Sequence, residues 1–197
     1  YEIMRLSTFK GGVHPPENKK LSSAYAIEEA MPSTKTVVIP ITQGGAPNVP
    51  CVSVGNSVAK GQIIADGTGA FSVPVHASIA GIVKKIEPHI VTGNTEALCI
   101  FIEADGTDRT SYLPPLDPFS CEKSAAIERV RQCGIVGMGG AAFPAHVKLN
   151  VPADKTIDCV IANAAECEPY LTIDERALIE DAEKIVDGLA ISMHLTG

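Results

Sequence analysis

The sequence predicts a two-domain α+β protein: a small β-rich domain followed by the first part of an α/β domain. Three observations support this. From 35 to 104, short apolar stretches alternate with turn residues at regular spacing, the pattern of a small sandwich or barrel. From 105 to 122 the chain becomes proline-rich, with Leu113-Pro-Pro-Leu-Asp-Pro118 stiff and extended. From 123 onward, apolar residues recur at helical spacing instead.

The totals narrow the function classes. The chain has 197 residues, enough for one large domain or two small ones, and 45% are apolar, enough to bury a core. Its net charge of −7 argues against nucleic acid, which needs a basic surface. No apolar run approaches the ~20 residues that span a bilayer. Tyr1 to Lys10 lacks the apolar stretch of a signal peptide. Any membrane association is therefore expected through partners. Six cysteines stand at 51, 99, 121, 133, 159 and 167, with no C-x-x-C pair. A tight metal or iron–sulfur site wants closely spaced thiolates, so no metal ligands are predicted, and most of these cysteines are expected to be reduced packing residues.

In chain order, residues 1–34 form an N-terminal arm. Pro15 and Pro16 forbid helix in Thr8-Phe-Lys-Gly-Gly-Val-His-Pro-Pro-Glu-Asn18. Lys10, His14 and Glu17 are functional candidates there, but an arm that wraps the body is the plainer reading. Met31-Pro-Ser-Thr34 closes it. The β-rich domain spans 35–104, with strands expected at Thr36–Pro40, Pro50–Val54, Gln62–Ala65, Phe71–Val75, Ile79–Ile86 and Ala97–Glu103, and a loop at Gln43–Pro47. Asp66-Gly-Thr-Gly69 is a hairpin signal. Val54-Gly-Asn-Ser-Val-Ala-Lys-Gly-Gln-Ile-Ile64 and Pro74-Val-His-Ala-Ser-Ile-Ala-Gly-Ile-Val83 resemble the biotinyl/lipoyl-like barrel-sandwich family. Carriers of that family present a modified lysine on the hairpin between these blocks. Ala65 to Ser72 has none, so the resemblance implies the fold without the carrier function. His76 reads as a core or surface histidine.

After the 105–122 linker, a helix begins near Glu122 with Ser120 or Ser124 as cap. Ala126, Ile127, Val130 and Cys133 form its apolar stripe. Gly134 ends it, and Gly137-Met-Gly-Gly-Ala-Ala142 follows. Glycines at this density let the backbone approach a large charged ligand closely. G-x-G-x-x-A alone is weak, because the dinucleotide fingerprint wants a strand before it and here a helix precedes. Phe143 to Leu149 is expected to form one or two helical turns. Ile157–Ala162 reads as a short buried strand ending in the polar loop Asn163-Ala-Ala-Glu-Cys-Glu-Pro-Tyr170. Ligands of open α/β sheets bind beyond such strand ends. A long helix follows, capped by Thr172 or Asp174, with Leu178, Ile179, Ala182, Ile185, Val186 and Leu189 on its apolar face.

Three motifs in order carry a wider resemblance: the Thr8–Glu17 arm, Gly134 to Lys148, and Asn163 to Arg176. Together they resemble the C subunit of Rnf electron transport complexes, the NADH-oxidising component of a membrane-bound NAD:ferredoxin oxidoreductase. The two loops are also similar to those of the NADH-binding flavoprotein subunit of respiratory complex I. The resemblance implies that Gly137, Gly139 and Gly140 line an FMN and NADH site, that Phe143 stacks near the nicotinamide nucleotide, and that Lys148 meets the flavin or a phosphate. It implies that Asn163, Glu166 and Glu168 hold flavin and nucleotide from a facing loop. Ala165 stands where the complex I relative carries an acid. No acid–base catalyst is required, since the redox chemistry belongs to the cofactor.

The same resemblance implies two 4Fe–4S clusters in the full-length subunit, ligated outside this chain, and other members of the complex as partners. It implies a peripheral position on the cytoplasmic side of the membrane. This stretch alone is expected to be inactive as an incomplete piece of the α/β domain (123–197). Two alternatives stand beside this reading: a non-catalytic docking scaffold, and a cobalamin-reductase-type flavoprotein of related domain make-up. The His14-Pro-Pro-Glu17 arm favours the Rnf resemblance.

Overall fold

A computed structural model describes residues 11–13, 15–30, 33–43 and 46–197. Thr8, Phe9, Lys10 and His14 of the arm motif, Met31 and Pro32, and Gly44 and Gly45 lie outside the described residues. The chain divides into two compact units, one drawn from Tyr1–Glu29 with Ala162–Val186, the other from Ala30–Ile161 with Asp187–Gly197.

Among the described residues the larger unit is built on seven strands: β1 Thr36–Pro40, β2 Val49–Pro50, β3 Ser57–Val58, β4 Ile63–Asp66, β5 Val75–His76, β6 Gly81–Val91 and β7 Thr95–Ala104. One sheet runs β1-β7-β6-β3 and the other β2-β4-β5, with antiparallel pairing throughout. The two-domain α+β class and the barrel-sandwich character expected from the sequence both hold. The apolar side chains of the two sheets explain why. Val58, Val83, Ile100 and Ile102 from the first sheet meet Ile64, Ala65 and Val75 from the second in one core. Each such fully buried Val or Ile side chain contributes roughly 1.5–3 kcal/mol.

Several details of the sheets differ from expectation. The strands expected at Pro50–Val54 and Phe71–Val75 shrink to β2 Val49–Pro50 and β5 Val75–His76. The Asp66–Gly69 signal does not make a tight hairpin. β4 and β5 are joined by a wide loop, because Asp66 turns its carboxylate onto the Gly67 amide (2.7 Å) and onto Arg131 (2.6 Å). The tight hairpin lies instead between β6 and β7, where Gly93 (φ 82°) and Asn94 (φ 56°) both take the left-handed conformation that suits a strand-reversing turn. Gly81, at the start of β6, sits so close to β7 that an added Cβ would lie 2.1 Å from the Glu103 carbonyl oxygen. Only glycine permits that pairing.

Helix α1 (Lys123–Gln132) follows the extended segment. Neither Ser120 nor Ser124 caps it. Glu122 holds the cap position, and the Ser120 hydroxyl bonds instead to the Asp117 carbonyl. Helix α2 (Ala145–Leu149) is the short helix expected there. The run Ile157–Ala162 is not a strand: it pairs with nothing among the described residues, and Ile161 is 81% exposed. A parallel strand needs neighbours for its ladder, and apolar composition cannot supply them. The cysteines also depart from expectation. All six are free, but only Cys99 is buried, and burial raises its thiol pKa.

The expected single long helix is two, divided at Asp181: helix α3 (Ile173–Glu180) belongs to the smaller unit, and α4 (Ala182–Thr196) belongs to it as far as Val186 and to the larger unit from Asp187 on. Leu178, Ile179 and Val186, assigned to a buried face, are exposed. The described part of the arm docks in the smaller unit. Asn18 (φ 51°) turns it into a single 3-10 turn, Lys19–Leu21. Further on, the Ile27 amide donates to the Glu180 carboxylate at 3.0 Å.

Candidate functional site

The glycine stretch becomes a closed loop in the larger unit. α1 ends at Gln132, and Gly134 (φ 71°) reverses the chain in the left-handed manner of a helix stop. Val136 and Pro144 then form a bridge, with the Gly137 amide donating to the Phe143 carbonyl at 2.8 Å and the Ala145 amide to the Ile135 carbonyl at 3.0 Å. Between these, Met138, Gly139 and Gly140 project into solvent, with Met138 94% exposed. A Cβ placed on Gly139 or Gly140 would meet nothing within 4 Å. Gly140 (φ 91°) and Ala142 (φ 47°) both take left-handed backbone.

α2 carries Lys148 back over the mouth of this loop. Its ammonium lies 5.6 Å from the centre of the Phe143 ring, and a Cβ on Gly137 would sit 3.2 Å from its Nζ. Phe143 packs edge-on against Phe71 of the β4–β5 loop, ring centres 5.8 Å apart. Gly137, Phe143 and Lys148 are therefore neighbours. Gly139 and Gly140 form the open rim beside them.

The barrel holds this loop in place through residues that were not read as site residues. Arg131 donates to the Asp66 carboxylate (2.6 Å) and to the Gly67 carbonyl (2.8 Å). Gln43 donates to the Gly134 carbonyl at 2.8 Å, and His146 Nε2 lies 3.1 Å from the Ala70 carbonyl. His76, read as a core or surface histidine, has its Nε2 2.9 Å from the Gln132 carbonyl at the end of α1. Asp66 carried a visible signal as a turn residue. Its arginine partner, 65 positions away, carried none.

The other predicted residues lie in the smaller unit. Asn163 accepts from the Ala165 amide at 3.1 Å, a side-chain turn that shapes the loop locally. Glu166 reaches the start of α3, where one carboxylate oxygen accepts from the Asp174 amide (2.8 Å) and the Glu175 amide (3.2 Å). Thr172 and Asp174, expected as caps, leave that work to Glu166, since Thr172 makes no side-chain cap bond. Glu166, Cys167, Glu168 and Pro169 line one cleft with Pro15, Glu17 and Lys19 of the arm. The cleft encloses about 480 Å³. Glu17, raised as a candidate from the sequence, does reach it, and Lys19 was missed. Among the described residues, no group of three or more His, Cys, Asp or Glu is placed to hold a metal ion.

The chain thus joins a barrel-sandwich hybrid to a helical segment that carries a glycine loop. Comparison with known proteins assigns both halves. Residues 7–107 match the RnfC barrel sandwich hybrid domain, and residues 130–197 match the Nuo51 FMN-binding domain. The chain belongs to the RnfC family. It is 40% identical over 195 residues to the C subunit of the Na(+)-translocating ferredoxin:NAD(+) oxidoreductase complex of Acetobacterium woodii, covering 96% of this chain and 43% of that protein. Identity is 41% to the C subunit of the proton-translocating ferredoxin:NAD(+) oxidoreductase complex of Clostridium ljungdahlii, covering 96% and 42%. It is 40% to the C subunit of the ion-translocating oxidoreductase complex of Serratia proteamaculans, covering 97% and 27%. The chain thus spans less than half the length of these relatives.

Proposed function

We propose that this chain is the NADH-binding, FMN-dependent electron-entry part of a membrane-associated NAD:ferredoxin oxidoreductase. One observation carries the proposal: the open rim of the glycine loop, where Gly139 and Gly140 leave room that any side chain would fill, set beside the Lys148 ammonium. That rim fits a flat, anionic cofactor. Backbone at Gly139 and Gly140 allows close approach, and Lys148 supplies positive charge for a phosphate or a reduced ring. The match of residues 130–197 to an FMN-binding domain supports the same reading.

In this proposal Gly137, Gly139, Gly140, Phe143 and Lys148 form one binding element. Asn163, Glu166 and Glu168 form a second, with carboxylate and amide groups suited to hydroxyl and ring N–H donors. When bound, FMN supplies the step from two-electron to one-electron transfer. The chain's own residues bind and orient it. The 4Fe–4S clusters that take electrons onward belong to the rest of the full-length subunit, and the other members of the complex are its partners. Among the described residues no helix is long and apolar enough to cross a membrane. A peripheral position on the cytoplasmic side, held by those partners, is part of the proposal.

The test is the absorbance of the purified full-length subunit. The proposal requires a visible flavin absorbance band that bleaches on adding NADH. A colourless protein that takes up no added FMN leaves only a docking role for the β-rich domain.

A further inference from the structure

The arm residues Lys19 and Ser22 grip the loop that carries Glu166 and Glu168. The Tyr170 amide donates to the Glu17 carbonyl at 2.7 Å, the Ser22 hydroxyl donates to the Tyr170 carbonyl at 2.6 Å, and the Lys19 ammonium donates to the Leu171 carbonyl at 2.8 Å. Tyr170 is a bulky non-glycine residue at φ 70°, a conformation that persists only where neighbours impose it. The arm is that neighbour. At the other end of the loop, Glu166 is tied to the α3 amides. The segment between, Cys167-Glu168-Pro169, is thereby held out along the cleft whose opposite wall is Pro15, Glu17 and Lys19.

We propose that Lys19 is a positioning residue for the nucleotide-binding loop, and that the arm from Pro15 to Ser22 is the second wall of its cleft. The cleft's volume of about 480 Å³ is within the range of small-ligand sites. Its free carboxylates favour the hydroxyl-bearing part of a nucleotide over its phosphates. Lys19 acts through the backbone: its ammonium fixes the Leu171 carbonyl, which fixes Tyr170 in its left-handed turn, which presents Glu168. The inference rests on the proposed nucleotide-binding role of this loop. The clamp itself does not.

The test uses the full-length subunit with Lys19→Met, Lys19→Arg and Ser22→Ala, and Lys20→Met as control. Amide hydrogen exchange is followed across 166–176, and the KM for NADH is followed with ferricyanide as acceptor. Lys19→Met is expected to speed exchange at Tyr170 and Asp174 by about tenfold and to raise KM by a similar factor, the order of one lost hydrogen bond to a charged group. kcat should change less than KM, Lys19→Arg should restore both readouts, and Lys20→Met should match wild type. Ser22→Ala should loosen the same amides if Lys19→Met fails to fold. Unchanged exchange in Lys19→Met or Ser22→Ala overturns the clamp. Faster exchange with unchanged KM overturns its link to the ligand. A wild-type protein that neither takes up FMN nor oxidises NADH removes the proposed function, while the exchange data still decide the clamp.

Discussion

Gly139 offers a clean separation between folding and binding. Its backbone is not left-handed, and an added Cβ would meet no atom within 4 Å. The first side-chain carbon of a leucine therefore meets no clash there, and no left-handed backbone opposes it. The folded state should change by no more than about 0.5 kcal/mol, as for other exposed loop positions. The unfolded chain loses freedom, which offsets even that. Binding is another matter. If the loop lies against FMN through its backbone, a leucine side chain occupies the volume the ligand needs. Overpacking of this kind costs about 1–3 kcal/mol, so the dissociation constant should rise roughly 5- to 150-fold.

The assay is a flavin fluorescence titration of the full-length subunit, with a denaturant melt of the same sample. The expected result is a wild-type melt and weak flavin binding. Wild-type flavin affinity in Gly139→Leu would refute the cradle. The neighbouring glycines cannot make this separation. Gly140 sits at φ 91°, where any side chain is strained, and Gly137 lies under the Lys148 ammonium.

Three further outcomes follow from the barrel. Gly81→Ala drives a Cβ into the Glu103 carbonyl, and should lower stability by about 3 kcal/mol in denaturant unfolding; a wild-type midpoint would show that β6 and β7 can separate freely. Arg131→Met removes the donor shared by Asp66 and Gly67, and should cost about 1–3 kcal/mol while leaving the β6–β7 amides protected in hydrogen exchange. Asp105 has its pKa lowered from 3.8 to about 2 by hydrogen bonds from the Thr107 hydroxyl and amide and from Arg109. A carboxylate depressed in the folded state contributes stability above its ordinary pKa and loses it as pH falls through the folded value. Wild type should therefore exceed Asp105→Asn at about pH 5, and the gap should close as pH falls through about 2. A gap that persists at the lowest pH would mean the carboxylate charge plays no part.

The sequence by itself determined the β-rich domain and the presence of both candidate loops. The apolar run in β7 and the β-branched runs dictated strands, because these side chains pack into one core with the other sheet. Gly134 marked the end of α1, since a left-handed stop is a local requirement. The glycines of the rim and the polar residues after Ala162 were legible from residue type alone. What lay beyond the sequence was every decision made between distant residues. Ile157–Ala162 has the composition of a strand, yet no described segment pairs with it. The helix expected from Thr172 onward divides at Asp181, and its apolar residues stay exposed because helical spacing cannot say whether a partner covers them. Glu166 looked like a ligand-binding acid, and only the folded chain shows its carboxylate also closing the first turn of α3. Lys19 showed nothing but a basic doublet until folding set it against Leu171, 152 positions away. Local backbone preference and burial period are written residue by residue. Hydrogen bonds across the chain depend on where it folds back, which only the tertiary structure decides.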